Sequence, residues 1–599
     1  MKRYSNYDKY PAIRVSDDSR ACWSGWTEIA DELKRRLPAR GRFVVVAECY
    51  PGVDCEEIRT GLQALNADAV LFAETALKSE KDIAALLEPW LGNDRVFGRM
   101  HPWELSAFFD PQRVAQLRSE IAETSGVILI YGTGAAYVAE QWQMLLHCDV
   151  TRWEIQQRQR AHRVGSLGAN DASEPAMALY KRGYFVDWRA ADTEKHRLHS
   201  SLEYYMDTNV ADRPAMISGS NYRACLAKAA KRPFRVVPFF DPGVWGGEWM
   251  RSHCDLPPEP PNFAWCFDCV PEENSLRFCF GNRVVEMPAL SLVHEHPEQL
   301  LGREIVEQFG AEFPIRFDFL DTVEGGNLSL QVHPLRAYIK EHFGMFYTQD
   351  ESYYILDAMP DAAVYLGLKR GIDAEQMKMD LRSAQDGGAP FAAEEYVNEF
   401  PVKKHDHVLI PAGTVHCSGK NTMVLEISST PYIFTFKLWD WSRLGLDGRP
   451  RPIHIEHGLA NIQWNRDQEW VKDNLVHQVR VITRGEGWYE EKTGLHPLEF
   501  IETRRHWFTA PVQHDTQGNL NVLNLVEGEE AVVESPSGAF EPFVVHYAET
   551  FIVPACVGPY TISPLKKTGL PLATMKAYVR STQIDNAQEQ NVSGGSNCL

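Results

Sequence analysis

Positive charge is scarce in this chain of 599 residues: 61 Lys and Arg stand against 81 Asp and Glu, a net charge of −20. A nucleic-acid partner or an anionic membrane surface would demand basic patches, so neither is expected. A small anionic substrate is not excluded, because it needs only a few local cations. No stretch approaches the roughly 18 apolar residues of a membrane-spanning helix. The start, Met1-Lys2-Arg3-Tyr4-Ser5-Asn6-Tyr7-Asp8, lacks the apolar run of a secretory leader. Twelve Cys are scattered, and the one close pair, Cys266-Phe267-Asp268-Cys269, has no second pair to complete a zinc site. These absences describe a cytoplasmic protein whose cysteines are reduced and structural.

What is present is an ordinary globular composition, 44% hydrophobic and 11% aromatic, with an unusual sixteen Trp. The length implies about three or four domains. Residues 1–232 alternate strand-like and helix-like segments, the pattern of an α/β domain with a parallel sheet. Arg42-Phe43-Val44-Val45-Val46-Ala47 reads as a buried strand, followed by Tyr50-Pro51-Gly52-Val53 and an acidic helix start at Asp54, Glu56 and Glu57. A phosphate-binding loop would sit there, but it needs several glycines and a Lys-Ser/Thr pair. This loop has one glycine, no lysine and repelling acids. The layout, with the Arg-rich Asp149–Arg160 segment placed like a lid, resembles a degenerate nucleoside-kinase-like P-loop domain. A structural, oligomeric or regulatory role without nucleotide is expected, and a homo-oligomer is compatible with it.

From Arg235 the chain becomes rich in Pro, Gly and aromatics, and short strands replace helices. In Gly326-Asn327-Leu328-Ser329-Leu330-Gln331-Val332-His333-Pro334, strand alternation puts Ser329, Gln331 and His333 on one face and Leu328, Leu330 and Val332 on the other. Glu351 and Tyr353 share a face of the next strand. Residues 371–385 form a helical insert, with Ala374, Met377 and Leu381 about one turn apart. His407–Ile410 then runs into Pro411-Ala412-Gly413-Thr414, a turn that fixes where His416 points. Two imidazoles, one carboxylate and one amide oxygen suit Zn²⁺ with an open position, with Mn²⁺ or Fe²⁺ as rivals. The candidate ligands are Gln331, His333, Glu351 and His416.

At these residues the sequence resembles type I mannose-6-phosphate isomerase (phosphomannose isomerase), of the cupin superfamily. The resemblance runs through Val244-Trp245-Gly246-Gly247, Leu328–Pro334, Glu351–Asp357, Pro411–His416, Phe436–Arg443 and Gly448–Glu456, across residues 233–470. It implies the same four zinc ligands and interconversion of mannose 6-phosphate and fructose 6-phosphate. Three positions depart from the family pattern: Gln349 replaces a frequent lysine, Lys437 the catalytic arginine, and His405-Asp406 a Gly-Asp. Lys437 and Arg443 are the expected catalytic residues and, with Ser329, the expected substrate contacts; Arg449 and Arg451 are further basic candidates. Glu426, His405, His407 and a zinc-bound hydroxide are all open as the base.

The expected organisation is therefore multidomain. A degenerate kinase-like α/β domain (1–232) precedes two β-barrel cupin domains, 233–475 with metal and a helical insert, and 476–585 without metal ligands and structural in role. A flexible tail (586–599) follows. The expected function is a metal-dependent aldose–ketose isomerase acting on a sugar phosphate. Its rivals are a metal-binding cupin that senses a sugar phosphate without turnover, an isomerase for another sugar, and an iron-dependent oxygenase.

Overall fold

A computed structural model describes residues 5–445, 448, 451–494, 496 and 498–580. Arg449 and the expected tail 586–599 lie outside the described residues. The chain is multidomain and mixed α/β, with six sheets among the described residues. It divides into two compact units, one of Ala12–Ala229 with Glu272–Glu295, the other of Met1–Pro11, Ala230–Pro271 and His296–Leu599. Residues 272–295 thus fold with the first unit, although in sequence they fall inside the expected second domain. The reason is strand pairing: Ser275–Phe280 lies parallel to Ala12–Ser16 and antiparallel to Arg283–Pro288.

The first unit is built on a seven-stranded sheet. Its core is the parallel run Ala69–Phe72, Val127–Gly132, Phe43–Cys49, Met144–Asp149 and Tyr204–Asp207. Phe43–Cys49 is central and buried on both faces, which is why it is nearly all apolar and β-branched. Its one acid, Glu48, accepts from the amides of Gly134 and Ala136, each at 2.7 Å. Burial nevertheless pushes the Glu48 carboxyl up to about 8. Beyond this strand the helix Cys55–Gly61 has its leading amides taken: Asp54 accepts from Glu56 and Glu57 at 3.1 Å each. An anion at that helix start would have to displace a carboxylate. The arginines of the 149–160 segment serve packing, Arg152 bonding Tyr50 and Asp192 while Arg158 bonds Glu154 and the Gly52 carbonyl.

The second unit contains two stacks of antiparallel sheets. The first pairs a six-stranded sheet (His407–Ile410, Glu351–Ala358, Thr422–Ser429, Ile315–Asp321, Trp265–Cys269, Phe239–Asp241) with a five-stranded one (Val397–Pro401, Ala363–Leu368, His416–Ser418, Leu330–Val332, Phe436–Trp439). Ala374–Gln385 is helical and N-capped by Asp373. The second stack has a six-stranded sheet that includes Trp488–Gly494, Ile501–Phe508, Leu572–Val579 and Asn521–Glu527. Its partner has four strands, Val512–Asp515, Pro559–Pro564, Glu530–Glu534 and Phe543–His546. Phe508, Leu523, Leu525 and Leu572 of one sheet meet Val512, Val533, Tyr560 and Ile562 of the other in one apolar core. No described helix is long and apolar enough to cross a membrane, and the eleven described cysteines are all free.

Buried imidazoles give the fold an acid sensitivity. Burial, together with the nearby Arg505 and only partly offset by the Thr493 backbone, holds the His407 pKa down to about 3 from 6.5. The folded state keeps this ring neutral while the unfolded chain protonates it below pH 6.5. Its stability contribution is therefore complete above pH 6.5 and is lost as pH falls towards 3. Denaturant melts between pH 6 and 4 should show wild-type stability falling, with about one fewer proton taken up on unfolding in His407→Leu. An unchanged pH slope in the variant would contradict this assignment.

Candidate metal centre

The cross-sheet register brings three of the sequence-predicted ligands together. Gln331 pairs with His416 within the five-stranded sheet. Glu351 opens the facing strand, and its Oε1 lies 2.7 Å from His416 Nε2 while Oε2 lies 3.0 Å from His333 Nε2. These three form the one group of potential metal-ligating side chains found among the described residues, and all are buried. The Gln331 amide is at the same point, 3.3 Å from His416 Nε2.

Backbone carbonyls set the tautomers. His416 Nδ1 donates to Thr414 O at 2.8 Å and His333 Nδ1 to Phe434 O at 3.3 Å. A carbonyl only accepts, so each Nδ1 carries hydrogen and each neutral ring turns its Nε2 lone pair inward. The lone pairs face a carboxylate that also only accepts. His333 Nε2 and Glu351 Oε1 are buried without a hydrogen bond of acceptable geometry. Such a convergence of acceptors is stable around a cation, and turning the Gln331 carboxamide over adds an oxygen to the set. Burial raises the Glu351 carboxyl, and positive charge placed at the two imidazoles would pull it well below its ordinary range.

The His416 side is positioned by the turn before it. Gly413 has φ +86°, and a Cβ there would come within 2.8 Å of Gln463 and 2.9 Å of Leu335. Its amide donates to His333 O at 3.0 Å. Arg466 Nη1 donates to Pro411 O and Ala412 O, at 2.8 and 2.7 Å. The Pro-Ala-Gly-Thr motif is thus clamped to the strand that carries His333.

Behind Glu351 lies a buried charge network that the sequence reading met only in part. Gln349 Nε2 donates to Glu351 Oε2 at 2.9 Å and to Glu426 Oε1 at 3.4 Å. Arg316 reaches Glu426 Oε1 at 2.5 Å and Asp318 at 3.6 Å. Burial, Asp318 and Glu351 raise the Glu426 carboxyl well above the usual range. His405 and His407 leave the cluster: His407 pairs in register with Tyr354, on the strand face away from Glu351. His405 bonds Tyr354 OH at 2.8 Å and Glu527 at 3.1 Å.

The remaining candidates form a second cluster on the same sheet. Lys437 pairs with Gln331, on whose face it lies. Its ammonium makes no ion pair among the described residues. Burial, with Arg451 and Arg443 nearby, lowers it to about 7. Asp440 is the carboxylate that these cations share among the described residues. It accepts from Ser329 Oγ at 2.9 Å, Arg443 at 2.6 Å and Arg451 at 2.8 Å. Arg443 also donates to Asn327 O at 2.6 Å. Ser329 has therefore spent its proton on Asp440, and Arg443 is fastened to the loop. Arg451, one of the two further basic candidates, donates to Ser329 Oγ at 3.2 Å.

Comparisons with known proteins divide along the same lines. Residues 25–231 match a domain family of unknown function, DUF8485. Mannose-6-phosphate isomerase ManA of Bacillus subtilis is 27% identical over 232 residues, 39% of this chain and 68% of that protein. Mannose-6-phosphate isomerase of Streptococcus mutans is 29% identical over 218 residues, 36% of this chain and 63% of that protein. The crystal structure of the B. subtilis mannose 6-phosphate isomerase covers 58% of this chain and all of its own, with 18% identity and a TM-score of 0.47. A phosphomannose isomerase mutant from Salmonella typhimurium covers 58% and 100%, with 13% identity and a TM-score of 0.45.

If the three acceptors hold a divalent ion, His416→Ala should lower tightly bound metal, measured by elemental analysis, by about tenfold or more. Gln349→Ala should keep the metal. Equal metal content in His416→Ala and the parent would refute the centre.

Proposed function

We propose that this chain is a metal-dependent aldose–ketose isomerase acting on a hexose 6-phosphate, interconverting mannose 6-phosphate and fructose 6-phosphate. The carrying observation is a buried His–His–Glu set flanked by Lys437, Arg443 and Arg451, which among the described residues share one carboxylate, Asp440. The basic groups outnumber it, and burial and like charge lower Lys437 to about 7, an imbalance that a phosphate or an enediolate would relieve. Sequence similarity to curated mannose-6-phosphate isomerases supports the same reading at low identity.

In this reading Gln331, His333, Glu351 and His416 hold the ion, for which Zn²⁺ fits the donor set, with Mn²⁺ and Fe²⁺ as rivals. When bound, it supplies Lewis-acid polarisation of the sugar oxygens. The unpaired Lys437 ammonium stabilises negative charge as the proton leaves C2 of the aldose. Arg451 orients the phosphate, while Arg443 and Ser329 keep Asp440, and through it Arg451, in place. Glu426 is the sequence-predicted acid–base group still beside the ligands. Arg316, Ser428 and Gln349 all bond its Oε1, which leaves Oε2 to take and return a proton. The base in this scheme is a carboxylate whose burial is eased by Arg316.

The competing reading is a sugar-phosphate sensor without turnover. It is favoured by Gln349, a neutral amide spent on Glu351 and Glu426 where the resembling family often has a lysine. Turnover separates the two. Metal-loaded protein should convert each hexose phosphate into the other, and Lys437→Met should lower kcat by about 10²–10³. Arg451→Ala should act mainly on KM, raising it about tenfold or more for phosphorylated sugars. Tight hexose-phosphate binding with no conversion by the metal-loaded parent would sink the isomerase in favour of the sensor.

A further inference from the structure

The second sheet stack is the part of the chain expected to be purely structural, and half of its interior is not apolar. In Ile501–Phe508 and Leu572–Val579 the face that carries the core residues Phe508 and Leu572 also carries Arg504 and His506, Thr574 and Lys576. Register continues this line across three strands. Lys492 pairs with Arg504 and Arg504 with Lys576, while Glu490 pairs with His506 and His506 with Thr574. Three cations therefore stand side by side on one inward face. Directly opposed like charges destabilise a sheet unless something answers them.

The protein answers them in part. Glu502 pairs with Arg504 and lies 3.9 Å from Lys492, and Glu490 lies 3.8 Å from Arg504. Lys576 has no ion pair of its own among the described residues: Glu490, Glu502 and Asp515 act on its ammonium only at longer range, and it lies 5.4 Å from the ring of Tyr578. Burial lowers both Lys576 and Lys492.

Around Lys576 stand polar atoms with no partner. His506 Nδ1, His514 Nε2 and Thr574 Oγ1 are buried and unbonded. The two rings meet edge to face at 4.5 Å, and His514 stacks on Tyr560 at 5.0 Å. Two imidazoles beside a carboxylate would ordinarily suggest a metal. The neighbouring cations oppose that: Lys576 acts on both rings to disfavour positive charge. Donors and an ammonium with no ion pair among the described residues suit an anion instead.

We propose that the inner face of this C-terminal stack binds a small phosphate-class oxyanion, free or carried on a sugar, through Lys576, His506, His514 and Thr574. The site is separate from the His333–Glu351–His416 centre and does not depend on the isomerase reading. The test is calorimetric titration of the full-length chain, first with inorganic phosphate and then with a hexose 6-phosphate. It is done in a Lys437→Ala/Arg451→Ala background so that the first cation cluster does not report. Binding should persist there and weaken about tenfold or more on adding Lys576→Met, the loss of one hydrogen bond to a charged group. A response to phosphate assigns a free-anion site, and a response to the sugar phosphate alone assigns a phosphosugar site. Because Lys576→Met removes a half-buried charge beside Arg504, the background protein is also followed by histidine-selective NMR. Two imidazoles should shift on phosphate addition, and both shifts should vanish when His506→Gln and His514→Gln are combined. No binding in the background variant, or an affinity unchanged by Lys576→Met, overturns the proposal.

Discussion

The contact on which the C-terminal unit turns is the meeting of Glu351 with the Nε2 atoms of His333 and His416. Three acceptors are held within 2.7–3.0 Å across the gap between two sheets. In a dry interior that arrangement is strained unless positive charge lies among them. The surrounding backbone keeps the strain in place. Phe434 and Thr414 fix the tautomers, Gly413 is bonded to the His333 carbonyl, and Arg466 holds the turn by two more carbonyls. Replacing any of these would change the aim of a ligand without touching the ligand itself.

Charge is then distributed in shells. Immediately behind Glu351 the network is balanced in favour of acid: Asp318 and Glu426 share Arg316, and burial raises Glu426 and holds Asp318 up at about 6. In front, across the Gln331–Lys437 pair, the balance reverses, with three cations and Asp440. The ligand set thus has a proton-holding wall on one side and an anion-seeking wall on the other. The enolisation proposed for this chain would use that polarity, since a proton leaves one side while negative charge gathers on the other.

Much of this was legible in the chain because it depends on short-range rules. Period-two alternation puts Gln331 beside His333, and the Pro-Ala-Gly-Thr turn announces a fixed His416. The capped helix Ala374–Gln385 follows from its own spacing. What sequence spacing did not convey are contacts set by register between distant strands. Arg316 finds Glu426 because Ile315–Asp321 pairs with Thr422–Ser429. Arg451 finds Ser329 although 122 positions separate them in the chain. His405 and His407 read as base candidates because they are close to the turn in sequence. Pairing of His407 with Tyr354 turns them to the other face. The insertion of 272–295 into the first unit has no local signal at all, since its strands find partners at Ala12–Ser16.

The second stack shows the same limit from the opposite direction. Its Ile552-Val553-Pro554-Ala555 stretch echoes Ile410-Pro411-Ala412, and ends in Tyr560 where the first stack has a histidine. Looking for ligands at equivalent positions therefore yields nothing there. The polar groups lie on other strands: His506 and Thr574 face each other in register, and His514 stacks on the tyrosine that displaced the expected ligand. Both stacks put a lysine with no ion pair on an inward face, Lys437 in one and Lys576 in the other. Each ammonium is half-buried and crowded by other cations, Arg443 and Arg451 near Lys437 and Arg504 beside Lys576. Like charges set together in a half-dry site disfavour the fold unless an anion relieves them, so the same crowding supports both proposed anion sites.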